Sequence, residues 1–248
     1  MARPVRFLNH VIEDFAMRVT FDPVAGTGTI VHNLSLIKNE DFEFAVRILK
    51  DASRSGVSVS GLVKFYPAGE KVDTSVIPEG YTGISTICSS TFDCHLIRRG
   101  IPVNPIGGGV VEIDNRTPVR FTHMILYEHT TIDPLHVLMS QKTTSVTNVM
   151  RQGSGTILAN MREFHMEAET LVGQVLDDLL STHFSGILDV GMPKVPLLGV
   201  PVSPQYVGVA AVGGTNAMAA IRESGRWVQL QAMKGLIDIA TMADIRTF

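Results

Sequence analysis

The chain has 248 residues, 45% of them apolar and 18% charged, and a formal charge of −3 at pH 7. That length suffices for one large core or two of ordinary size, and the composition argues against disorder. The absence of any Lys/Arg run argues against a nucleic-acid surface on this chain alone, and no apolar run is long enough to cross a membrane.

Phe7, Leu8, Val11, Ile12, Phe15, Ala16 and Val19 keep helical spacing and predict a lead-in helix that Asp22-Pro23 closes. Residues 28–37 are rich in β-formers, and Asn39 can cap a helix whose apolar face carries Phe42, Ala45, Val46, Leu49 and Ala52. Gly56 ends that helix. A strand over 57–66, a polar loop to Gly80, a strand over 83–88, a helix from Ser90 to Arg99 and a strand over 101–104 follow. The order is β-α-β-β-α-β, the ferredoxin-like arrangement. Next come a hairpin over 110–127 that turns at Asp114-Asn115, a helix capped by Asp133-Pro134, and a short helix that stops at Gly153. A strand over 156–164, an amphipathic helix from Ala168 to Leu180, a short strand over 187–190, a Pro-rich loop and a strand-turn-helix-strand over 207–233 complete the chain.

The chain is written twice. Shifting by 125 positions lays Gly83 on Gly208, Ile87 on Val212, Ser90 on Thr215, Gly100 on Gly225 and Val103 on Val228. Gly26 to Asn33 also matches Gly153 to Asn160, with five of eight residues identical at an offset of 127. The expected fold is therefore α/β (α+β), two tandem ferredoxin-like halves related by duplication. Residues 1–22 lead in, 23–106 and 153–248 are the halves, and 107–152 connect them.

Each half carries a turn of small polar residues before its last helix: Cys88-Ser89-Ser90-Thr91 and Gly213-Gly214-Thr215-Asn216. Unpaired N–H groups and the positive dipole end make such a turn either an anion site or a plain helix cap. Arg162 interrupts an apolar strand, so it faces solvent or serves a carboxylate. Cys88 at a helix start is either a reactive thiol or a small buried hydrophobe. Cys88 and Cys94, six apart, are no disulfide framework or CxxC pair and read as free thiols of a cytoplasmic protein. Gly26-Thr27-Gly28 and Gly153-Ser154-Gly155 precede strands and lack the Lys-Ser/Thr of a phosphate loop. His165, Glu167 and Glu169 are poorly spaced for a chelate, and no metal is expected.

Several strings then coincide with one family: Phe21-Asp22-Pro23 with Gly26 to Asn33, Leu34-Ser35-Leu36, Thr86-Ile87-Cys88-Ser89, Gly100-Ile101-Pro102-Val103, Gly108-Gly109-Val110-Val111-Glu112, Arg120-Phe121-Thr122, Ile132-Asp133-Pro134-Leu135, Gly153-Ser154-Gly155 with Ala159-Asn160, Arg162-Glu163, Gly199-Val200-Pro201-Val202, and Val212-Gly213-Gly214 with Asn216. In these the chain resembles the regulatory domain (DUF128) of archaeal NrpR-type nitrogen repressors. The resemblance implies a homodimeric sensor whose effector, 2-oxoglutarate, releases a repressor from operator DNA. It also implies that a linked or partner winged helix-turn-helix does the DNA reading. Such a segment is not expected within this chain, which reads as free-standing or as cut from a longer repressor. The expected effector site joins Cys88, Ser89, Ser90 and Thr91 with Arg162 and with Gly213, Gly214, Thr215 and Asn216; no catalytic residue and no cofactor are expected. Two other readings stay open: a cysteine enzyme using Cys88 on a small carboxylic acid, and a structural dimerisation module.

Overall fold

Leu8, Ile12, Phe15 and Ala16 recur every three or four residues and are buried, so α1 (Leu8–Ala16) forms by laying one apolar stripe on the rest of the protein. The computed structural model describes residues 5–248. After α1 come β1 (Thr29–Lys38), α2 (Phe42–Arg54), β2 (Leu62–Tyr66), β3 (Lys71–Val72), β4 (Ser75–Val76), β5 (Tyr81–Ile87) and α3 (Ser90–Arg98). The middle of the chain holds β6 (Val103–Asp114), β7 (Thr117–Leu126), α4 (Pro134–Ser140) and α5 (Val146–Gln152). The second repeat supplies β8 (Gly155–His165), α6 (Glu169–Leu180), β9 (Ile187–Val190), β10 (Tyr206–Val212), α7 (Asn216–Glu223), β11 (Val228–Asp238) and β12 (Ala243–Asp244).

The result is a mixed α/β molecule with two five-stranded antiparallel sheets, ordered β11-β1-β5-β2-β12 and β7-β6-β8-β10-β9. With each repeat's strands numbered one to four, both sheets read four-one-three-two, the ferredoxin-like order. The fourth strand, however, comes from the other repeat. β6 of the first repeat pairs along β8, from Val103 opposite Phe164 to Ile113 opposite Gly155. β11 of the second repeat pairs along β1, from Val228 opposite Ile37 to Asp238 opposite Thr29. The preceding helices travel with their strands, since α7 packs on α2 and α3 packs on α6. Each sheet is therefore completed only by chain from the opposite repeat, and one continuous apolar core runs through both.

Several local expectations differ from what forms. Residue 106, where the first half was expected to end, lies inside β6, which is one strand of 12 residues rather than two. Gly107, Gly108 and Gly109 fall between the strand expected over 101–104 and the hairpin expected over 110–127, yet they belong to β6: a Cβ at Gly107 would sit 2.5 Å from Ile125 O, and one at Gly109 2.4 Å from His123 O. The glycines let β7 close on β6. Asn39 caps no helix; it starts a short 3-10 turn, and its Oδ1 accepts the Thr82 hydroxyl at 2.8 Å. The polar loop before Gly80 holds the small β3-β4 hairpin, and β2 starts at Leu62 rather than at residue 57. The hairpin turn at Asn115 and Arg116, with φ of 48° and 64°, is of the primed kind that suits strand twist.

Candidate functional site

The two crossing points, where β5 hands over to α3 and β10 to α7, lie side by side, because the repeats exchange their ends there. Each turn is tied to its own repeat's first strand in the same way. The Cys88 N–H donates to Val31 O at 2.9 Å, and the Gly213 N–H donates to Leu158 O at 2.8 Å. The turns also touch each other: Thr86 Oγ1 donates to Gly214 O at 3.1 Å, and a Cβ on Gly214 would fall 2.5 Å from Ile87 O. Only glycine permits this approach.

Above the meeting point a cleft opens between the halves, lined by Cys88, Ser89, Ser90, Gly214 and Thr215 of the turns and by Arg162 of β8. Six of the nine residues expected to bind a ligand therefore converge. The other three lie behind the wall. Thr91 is fully buried with its hydroxyl directed at Val31 O, 3.4 Å away. Gly213 packs on Leu158 and Leu135. Asn216 braces the fold: its Oδ1 accepts the Leu158 N–H at 2.8 Å, while its Nδ2 donates to Leu158 O at 2.9 Å and to Val57 O at 3.1 Å. The Thr91 and Phe92 N–H groups turn back to Cys88 O and Ser89 O, so those donors are spent on the turn that leads into α3.

Arg162 organises the cleft. It is 2% exposed, and it meets Asp93 of α3 in a two-pronged ion pair, Nε to Oδ1 at 2.7 Å and Nη2 to Oδ2 at 3.1 Å. Its third nitrogen, Nη1, is buried without a partner among the described residues, as is the Thr215 hydroxyl. Buried donors are almost always satisfied, and one left open costs roughly 1–3 kcal/mol. Both open groups belong to residues of the cleft wall.

Residues that the motif reading passed over complete the walls. Asn33 and Asn160 occupy equivalent places in the two repeats. Asn33 Oδ1 accepts the Met233 N–H at 3.1 Å, where β11 bulges with a positive φ of 45°. Asn160 accepts the Ser89 hydroxyl and donates to the Tyr127 hydroxyl at 2.7 Å. Their identity across the duplicated segment was the available signal. Ile12 of α1, Tyr127, and Asp133 at the start of α4 close the cleft asymmetrically. Asp133 accepts the N–H groups of Leu135 and His136; burial pushes its carboxyl above the usual range while those bonds pull it back.

Burial pushes the Cys88 thiol up to about 11, and the weak bond from the Ser90 hydroxyl to its sulfur does not reverse that. A thiol so protonated is a poor nucleophile, which counts against Cys88 as a catalytic group in this arrangement. His165 Nδ1 accepts the Glu167 N–H at 3.3 Å and serves as a turn cap. Among the described residues, no helix is long and apolar enough to cross a membrane.

Comparison with known proteins follows the same lines. A family model described as NrpR regulatory domains NRD1 and 2 matches residues 5–244. The global nitrogen regulator NrpRI of Methanosarcina mazei is 35% identical over 94% of this chain and 72% of its own length. The global nitrogen regulator NrpR of Methanococcus maripaludis is 30% identical over 84% of this chain, but only 37% of that protein is covered. The chain is thus similar to one part of longer regulators. The crystal structure of a nitrogen repressor-like protein from Methanococcus jannaschii superposes with a TM-score of 0.82 at 25% identity, covering 98% of this chain and all of that one.

Proposed function

The chain belongs to the family of NrpR regulatory domains, and from that premise we propose that its cleft takes 2-oxoglutarate, whose occupancy controls DNA binding by a linked or partner winged helix-turn-helix. The observation that carries this reading is the open Nη1 of buried Arg162 in a cleft between two halves. A guanidinium matches a carboxylate, and a fully desolvated one is strong enough to select it.

The present cleft encloses only about 20 Å³, room for roughly one water. A five-carbon diacid cannot enter unless the walls part, and the ligand thereby favours an arrangement other than this one. Charge points to the moving piece. Two carboxylates, Asp93 and Asp133, and one guanidinium line the cleft, and Asp93 alone holds that guanidinium. A carboxylate that enters at the open Nη1 draws the guanidinium from Asp93, which releases the first turn of α3 from β8. α3 also carries α1, whose Ile12 O lies 3.8 Å from Cys94 Sγ, so the displacement reaches the start of the chain. The coupling is limited to the difference in ligand affinity between the two arrangements.

The working unit in this reading is a homodimer. Titration of 2-oxoglutarate into the purified chain tests it: saturable binding without turnover, lost in Arg162→Ala, is expected. Consumption of the acid would instead favour an enzyme.

A further inference from the structure

A second concavity lies where the C-terminal end of α2 meets the β6-β7 turn and the end of α5, and it encloses about 240 Å³. Three guanidinium groups line it: Arg54 in the last turn of α2, Arg116 at the hairpin tip, and Arg151 in the last turn of α5. Asp51 is the one acid there, and Ile48 and Met150 supply an apolar wall. Among the described residues, none of the three arginine side chains forms an ion pair or a hydrogen bond. Two of them suit their helix ends, where the dipole is negative. That account omits Arg116, which belongs to no helix.

Arg116 occupies the second position of a primed turn, φ 64°, where glycine is the usual choice. Its N–H donates to Gly153 O at 2.7 Å, and its stem lies against Gly153, where a Cβ would come within 3.0 Å of Arg116 Cγ. The turn and the bare glycine together hold this side chain in the concavity. Arginine stays charged at any working pH, and three exposed guanidinium groups against the single carboxylate of Asp51 give the hollow a net positive charge that attracts an anion. Guanidinium forks bind phosphate oxygens in pairs.

We propose that this concavity binds a small phosphate-bearing molecule with more than one negative charge, its phosphates held by Arg54, Arg116 and Arg151. The site joins the α2 layer of one sheet to the β6-β7 hairpin of the other, so its ligand ties the two halves together. A hollow of this size suits a small molecule, whereas a duplex needs an extended basic face.

The test is calorimetric titration of sodium pyrophosphate into the full chain at constant ionic strength. Saturable binding is expected, weakened at least tenfold in both Arg116→Ala and Arg151→Ala and unchanged in Arg222→Ala, an arginine that lines a different hollow. Thermal unfolding without ligand confirms that each variant is folded. No saturable binding, or binding indifferent to both substitutions, overturns the proposal. Retention of duplex DNA that depends on these arginines, with no response to pyrophosphate, overturns it equally.

Discussion

At the residue scale, Asp93 and Arg162 set the first expectation. Asp93→Asn leaves a buried guanidinium with no anion, a loss of roughly 3–5 kcal/mol for a pair broken on one side. It also removes the ligand's competitor. The unliganded variant should melt at lower temperature than the parent yet bind 2-oxoglutarate at least tenfold more tightly; equal or weaker affinity would show that Asp93 does not compete. Cys88→Ser should leave affinity within about twofold, and iodoacetamide should leave folded Cys88 unmodified over hours, because its thiol is buried and protonated.

Two buried histidines give a pH dependence. His32 and His95 are 1% and 4% exposed, and burial holds both below the ordinary 6.5. Asp73 partly opposes this at His32, whereas Arg99 and Arg98 add to it at His95. The unfolded chain takes up these protons near pH 6.5 and the folded chain resists them, so stability is full above that pH and falls as pH drops below it. Asp133, raised by burial, acts in the opposite sense. Both ring nitrogens of His95 are buried without partners among the described residues, which makes His95→Leu the discriminating variant. Its urea midpoint should exceed the parent's at pH 5.5 by more than at pH 7.5. An equal difference at both pH values would place the acid sensitivity elsewhere.

At the element scale, the two turns are mechanically joined. Gly214→Ala drives a methyl against Ile87 O and Cys88 Cα and should cost roughly 1–3 kcal/mol. Asn216→Ala removes three buried hydrogen bonds to Leu158 and Val57 and should cost about 2–4 kcal/mol. Denaturant midpoints check both, and either variant as stable as the parent would deny the turns this role. Much at this scale was legible. The helical spacing of α1, α2 and α6 and the match of Gly83 with Gly208 located the elements and the duplication. The Gly107-Gly109 run was not legible, because glycine signals a turn locally and close strand approach only in three dimensions. The β3-β4 hairpin is too short to show a period. In the cleft, small polar turns and a strand arginine were readable as chemistry. Asp93 and Tyr127 were not, since nothing local to them announces that a partner from 69 residues away, Arg162, or from 33 residues away, Asn160, will face them.

At the scale of the whole molecule, the exchange of fourth strands decides behaviour. The apolar residues of β6 and β11 call for a sheet to pack in, but both sheets offer an equivalent edge, so the sequence cannot choose between them. Because each sheet borrows its end from the other repeat, neither half should fold when expressed alone. Fragments 1–152 and 153–248 should be unfolded separately and should recover native circular dichroism on mixing. Two independently folded fragments would contradict the exchange. The full chain should unfold in a single transition, since one core spans both units.

The central claim is that Arg162 receives a carboxylate of 2-oxoglutarate in place of Asp93. It is tested most directly by calorimetric titration of 2-oxoglutarate into the parent chain, Arg162→Lys and Asp93→Asn under one buffer. The account predicts saturable binding in the parent, at least tenfold weaker binding in Arg162→Lys, and tighter binding in Asp93→Asn. Parent-like affinity in a folded Arg162→Lys chain would contradict it.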